Sequence, residues 1–329
     1  MKKRDCPAVQ APDTADSIIR RPLKKAIITG ATGMIGAALA ELLTSEGVKV
    51  TALARPESPK MRNLDKALST GLVKIVPVSL QALDTFEPET ADVWFHFAWD
   101  GVGREARDDL PRQMKNVDYL RTAFSKAVQC GVHSFVFAGS QAEYGPVSGV
   151  LTEDTPMNPV IAYGKAKFAA ETAGNALGGK MGVNFITARI LSVFGPYDND
   201  YAMVTGAVRA FLRKERPVFT KGEQIWDYLF SEDAARAMAA LSVSGRGGEA
   251  YVLGSGDARP LAEYILAIRD AVDPALDLGL GEVPYGPNQV MHLEADISKL
   301  VRDTGFKPCT DFRTGIEKTV LYLREKESL

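Results

Sequence analysis

"KKAIITGATGMIGAAL", Lys24 to Leu39, decides how the rest of the chain reads. Its first half is a short apolar run of strand character. Its second half places Met34, Ile35, Ala38 and Leu39 on one stripe, continued by Leu42 and Leu43 and stopped by Gly47, as in an amphipathic helix. Gly30, Gly33 and Gly36 stand where the strand turns into the helix. Glycines at that place permit a tight turn and let the backbone approach a pyrophosphate. The helix start adds oriented N–H groups and the positive end of its dipole. The spacing is GxxGxxG, and its weight comes from its position between strand and helix.

The same rhythm continues outward. Further apolar runs are Lys49–Arg55, Lys74–Leu80, Asp92–Ala98, Ser134–Ser140 and Asn184–Gly195. Near-continuous apolar strands of this kind are buried on both faces of a parallel sheet. A helical stripe runs through Leu110, Met114, Val117, Leu120, Phe124 and Val128 to Gly131. Another, containing Tyr163, is expected to end near Gly178 and Gly179. The pattern predicts an α/β fold: a Rossmann-type doubly wound parallel sheet with a smaller C-terminal substrate-binding lobe. Residues 1–22 read as a mobile tail. Residues 23–190 read as the dinucleotide domain, with 226–256 returning to it. Residues 191–225 and 257–329 form the lobe. After Gly195, helices are expected at Tyr201–Lys214, Asp233–Val243, Leu261–Val272 and Thr314–Lys326.

Composition narrows the classes. The chain has 329 residues, 46% hydrophobic and 24% charged, with a net charge of −2. That is a globular mix with no global field for nucleic acid. No apolar run is long enough to span a bilayer, and no apolar h-region follows the basic start. Three scattered cysteines (Cys6, Cys130, Cys309) and three scattered histidines (His96, His133, His292) speak against a disulfide framework and a metal centre. The expected location is cytoplasmic.

The end of the second strand separates the two nicotinamide cofactors. An acid there would bind the ribose 2′-hydroxyl and repel a 2′-phosphate. Here Ala54 occupies that place and Arg55 follows, and a guanidinium suits a phosphate. The expectation is NADP, with NAD as the alternative.

Tyr163 and Lys167, four apart, share one helical face, and Ser140 ends the fifth strand. In a doubly wound sheet these three can meet at the carboxyl edge. Hydride transfer to a carbonyl builds negative charge on oxygen, which a proton donor must meet. Free tyrosine titrates near pH 10, and a nearby ammonium would lower that. Ser140 can hold the reacting oxygen.

These motifs together resemble the extended short-chain dehydrogenase/reductase family of nucleotide-sugar epimerases, dehydratases and ketoreductases. The resemblance runs from about Lys25 to Arg324. It includes "TGATGMIG" (Thr29–Gly36), "FHFAW" (Phe95–Trp99), "GSQAEYG" (Gly139–Gly145), "IAYGKAKFAAE" (Ile161–Glu171), "SVFGP" (Ser192–Pro196) and "WDYLFSEDAA" (Trp226–Ala235). It implies Ser140, Tyr163 and Lys167 as catalytic residues. It implies Gly30, Gly33, Met34, Ile35, Gly36, Arg55, Leu80, Phe97, Ala98, Asn116 and Ile190, with Tyr163 and Lys167, as dinucleotide contacts. The helices of Asn116 and Tyr163 match the pair that forms a homodimer interface in many relatives.

Departures from the family pattern narrow the activity. Dehydratases carry an Asp-Glu pair after the serine or threonine, and here Gln141 and Ala142 stand there. Glu143, one place later, is expected to point elsewhere. Ser192 replaces an amide and Trp226 an arginine, which weakens diphosphate binding. Trp99, Gln141, Ser192 and Trp226 are the candidate substrate residues, with Asp100 and Arg104 near the sugar. The expected activity is NADPH-dependent reduction of a nucleotide-linked 4-keto-6-deoxy sugar. The alternative is a nucleotide-sugar C4 epimerase with tightly bound NAD. Reduction of another carbonyl and a non-catalytic NADP(H) sensor rank below these.

Overall fold

A computed structural model describes residues 23–286 and 289–327. The expected tail, 1–22, lies outside them. Seven strands form one parallel sheet: β1 (Lys25–Thr29), β2 (Lys49–Ala54), β3 (Val73–Pro77), β4 (Val93–His96), β5 (Ser134–Ser140), β6 (Asn184–Ile190) and β7 (Ala250–Leu253). Their order is β7-β6-β5-β4-β1-β2-β3, which reverses direction between β1 and β4, the place where doubly wound sheets bind ligands.

Alternation along the strands sorts the core into two layers. Ala26, Ile28, Phe95 and Val136 face a cluster shared with α1 (Met34–Ser45) and the helix Ser231–Ser244. Ile27, Trp94, Phe135 and Phe137 face one shared with α2 (Leu110–Gln129) and α3 (Ala162–Met181). With both faces covered, the strands read as unbroken apolar runs.

Two expectations are corrected. The run from Asn184 to Gly195 is not one strand. β6 ends at Ile190, its last residue opposite Ser140, and Ser192–Phe194 then pairs with Tyr228–Phe230 in a separate sheet. The third helix does not stop at Gly178 and Gly179. It runs to Met181 and is capped by Gly182 in the left-handed conformation (φ 68°). Gly174 and Gly178 instead let α3 lie directly on Phe185 of β6, where a Cβ at either would collide with that side chain.

The lobe contains helices at Met203–Leu212, Leu261–Val272, Ser298–Thr304 and Phe312–Glu327. A four-stranded sheet joins Arg259–Pro260, Ile225–Trp226, His292–Ala295 and Gly149–Leu151, so Trp226 sits in the lobe's own sheet. The buried Asp227 carboxylate ties the parts together, accepting from the N–H groups of Ser255 (2.7 Å), Gly256 (3.0 Å) and Ala295 (3.3 Å). Of the cysteines among the described residues, Cys130 is free and buried and Cys309 is disulfide-bonded. No helix among these residues is long and apolar enough to cross a membrane.

Candidate active site

The glycine turn is built for close approach. Gly30 adopts φ 72°, and a Cβ on it would lie 2.7 Å from the Ala98 backbone nitrogen. A Cβ on Gly36 would run into the Gly30 carbonyl. Gly33 caps α1 without a side chain, leaving the first helical N–H groups open. This cradle fits a dinucleotide pyrophosphate. Met34 and Ile35 begin α1, and Ile190 ends β6. Phe97 and Ala98 follow β4, Leu80 opens the turn Leu80–Thr85, and all six are partly exposed. Ala54 is buried at the end of β2, with Arg55 exposed beyond it.

Ser140, Tyr163 and Lys167 converge at the carboxyl edge of β5. Against the larger rise from burial, Ser140, standing beside the Tyr163 phenol, draws its pKa down. Gly164 makes this possible: any side chain there would strike the Ala142 carbonyl, so glycine lets α3 press its first turn against Gln141–Glu143. The Tyr163 N–H donates to the Arg107 carbonyl at 2.8 Å.

The electrostatics differ from the sequence expectation. Lys167 is buried behind the site, donates to the Ala138 carbonyl (2.6 Å), and lies 3.9 Å from the Trp99 ring but 5.7 Å from the Tyr163 ring. Burial brings its ammonium down to about 7. Burial also pushes the Tyr163 phenol up, and the cation that opposes this is Arg107, whose Cζ sits 4.3 Å from the ring centroid. Arg107 gave no sequence signal, because its place depends on the path of the loop before α2.

Glu143, expected to point elsewhere, is instead fully buried beneath Ser140. Its Oε1 accepts from the Ser140 N–H at 2.6 Å, and the Ser140 hydroxyl accepts from the Ala142 N–H at 3.2 Å. Ser140 and Glu143 form a capping box, and the S-x-x-E spacing was the signal available. Burial first, then the neighbouring Glu171, hold the Glu143 carboxyl well above the usual carboxylate range. Glu171 is itself paired with Arg189 through two bonds of 2.7 and 3.2 Å.

The loop after β4 is fastened to α2. Trp99 donates to Gln113 (2.8 Å), and Gln113 donates to the carbonyls of Gly101 (2.7 Å) and Ala106 (2.9 Å). The Asn116 amide is engaged by the Asp100 backbone, and Arg112 grips the Asp100 carboxylate, holding its pKa down. Trp99 thus packs under Lys167. The side chain of Arg104 lies outside the described set. Gln141 is part-exposed at the start of its turn. Ser192 and Trp226 meet each other, indole N–H to hydroxyl, at 2.8 Å. Trp226 also lines a lobe cavity of about 360 Å³, whose lining among the described residues includes Phe219, Thr220, Gln224 and Tyr228 and no charged side chain.

The chain is similar to several known proteins. The chain is 24% identical over 310 residues to an uncharacterized UDP-glucose epimerase of Bacillus subtilis, covering 91% of this chain and 98% of that one. It is 26% identical over 320 residues to the UDP-glucose 4-epimerase of Mycolicibacterium smegmatis, covering 92% and 99%. The match to dTDP-glucose 4,6-dehydratase of Shigella flexneri, 28% identical over 178 residues, covers 52% of this chain and 49% of that one. Among solved structures, the UDP-N-acetylglucosamine 4-epimerase of Methanobrevibacter ruminantium has the same fold, with a TM-score of 0.84 at 23% identity over 93% of this chain and 100% of that one. The model of one enzyme family, the NAD dependent epimerase/dehydratase family, matches residues 26–254, most of the length, and the chain belongs to that family.

Proposed function

We propose that the chain is a nucleotide-sugar C4 epimerase that works on a resident nicotinamide cofactor. The observation that carries this is the convergence of Ser140, Tyr163 and Lys167 at the carboxyl edge of β5, with Gln141 and Ala142 beside Ser140 in place of an acid pair. That set can move one proton to and from a sugar hydroxyl, but it has no second acid to expel water. The two 4-epimerases matched along nearly their whole length support the same reading over the ketoreductase expected from sequence.

The Gly30–Gly36 cradle and the partly exposed side chains around it would hold the cofactor, which supplies the hydride acceptor and donor when bound. Tyr163 takes the C4 hydroxyl proton and returns it. Ser140 holds the C4 oxygen. Lys167, Trp99 and Glu143 fix the geometry behind them. The cavity beside Trp226 takes the nucleoside end of the substrate.

A reductase remains the second reading, favoured by the buried Ala54 and exposed Arg55 at the 2′-phosphate position. The test is incubation with UDP-, dTDP-, GDP- and CDP-sugars, read by NMR at C4, with analysis of any nucleotide that co-purifies. An epimerase gives two C4 isomers without added cofactor. Stoichiometric NADPH oxidation on a nucleotide-linked 4-keto-6-deoxy sugar instead would establish the reductase. Tyr163→Phe should lower either activity at least about 100-fold.

A further inference from the structure

Arg107 is a cation at the reacting centre with no carboxylate paired to it among the described residues. Its Nε is buried and makes no hydrogen bond, while its Cζ lies 4.3 Å from the centroid of the Tyr163 ring. The position is not accidental wandering of a loop. Gln113 holds the Ala106 carbonyl at 2.9 Å, and the Arg107 carbonyl holds the Tyr163 N–H at 2.8 Å. With the backbone held on both sides and the part-buried guanidinium set over the Tyr163 ring, the unsatisfied Nε–H leaves Arg107 short of an anion.

On the proposed function, the cofactor's phosphates would lie at the Gly30–Gly36 turn and its oxidised ring would be cationic, so it would supply no anion here. The nucleoside diphosphate of the substrate would point toward the Trp226 cavity. The remaining source of negative charge is the sugar itself, beside the carbon whose oxygen meets Tyr163.

We propose that Arg107 is a specificity-determining residue that receives a carboxylate carried next to the reacting carbon, so that the sugar turned over is a uronic acid. This rests on Tyr163 being the proton-transfer residue. A planar fork against a carboxylate gives two parallel bonds, which a neutral hydroxymethyl group cannot match.

The test compares UDP-glucuronate with UDP-glucose, which differ only at that substituent, on wild type, Arg107→Met and Arg107→Lys. C4 exchange is followed by NMR and binding by titration calorimetry. Wild type should favour the acid by about 30-fold or more in kcat/KM, Arg107→Met should bring the ratio within about 3-fold, and Arg107→Lys should fall between. A wild-type ratio near one overturns the proposal. So does an unchanged ratio in Arg107→Met with both rates falling together, which would mean that Arg107 acts only on the phenol. Should neither sugar turn over, the C4 epimerase reading fails, and calorimetry still decides on Arg107: an acid preference lost in Arg107→Met supports it, and equal or absent binding overturns it.

Discussion

Glu143 makes the end of β5 a fixed platform, because one carboxyl holds the Ser140 N–H while the Ser140 hydroxyl holds the Ala142 N–H. Glu143→Gln keeps the acceptor and imitates the protonated acid, so fold and activity should survive. Glu143→Ala orphans a buried N–H and should cost about 1–3 kcal/mol, read by urea melts. Because the Glu143 carboxyl is raised by burial, the folded chain keeps that proton where the unfolded chain has released it. The associated stability is complete below the ordinary glutamate pKa and is lost as pH climbs through the raised one, and Glu143→Gln should remove that loss. Lys167 acts in the opposite sense. With its pKa lowered to about 7, the unfolded chain binds a proton that the folded chain refuses between about pH 7 and 10.4. Wild type should therefore gain stability against Lys167→Met when pH is raised from 7 to 9.5. The proton-transfer trio was legible in the sequence because helical spacing and strand ends place side chains predictably. Arg107 was not, since its contact with Tyr163 is made by the fold of a loop.

At the scale of elements, glycine carries more of the packing than the sequence pattern reveals. "GG" at 178–179 reads as a helix stop, yet the smallest side chains in α3 serve its contact with β6. Gly174→Ala improves helix propensity by about 1 kcal/mol, but its methyl would enter the Phe185 ring. The net effect should be a loss of about 1–3 kcal/mol, largely recovered with Phe185→Leu in a double-mutant cycle. Gly164→Ala should act differently: it pushes α3 off the Ala142 carbonyl, so turnover should fall far more than the melting temperature. Strands were legible because both faces of the sheet are buried. The break at Leu191 was not, because the apolar run continues through it while the hydrogen-bond partner changes from β5 to Tyr228–Phe230.

Across the whole molecule, α2 and α3 pack side by side and leave Leu110, Met114 and Phe168 exposed (46%, 39% and 37%). A homodimer through these helices is the proposed assembly. Light scattering should give the mass of two chains, and Met114→Asp with Phe168→Glu should give that of one. Asp227 sets a further property of the assembled chain. One carboxylate gathers backbone donors from two distant stretches, Ser255–Gly256 and Ala295, so neither can open alone without stranding a buried negative charge. Under hydrogen–deuterium exchange, the amides of Ser255, Gly256 and Ala295 should lose protection together, at one rate, as a single unfolding unit that joins the last sheet strand to the lobe.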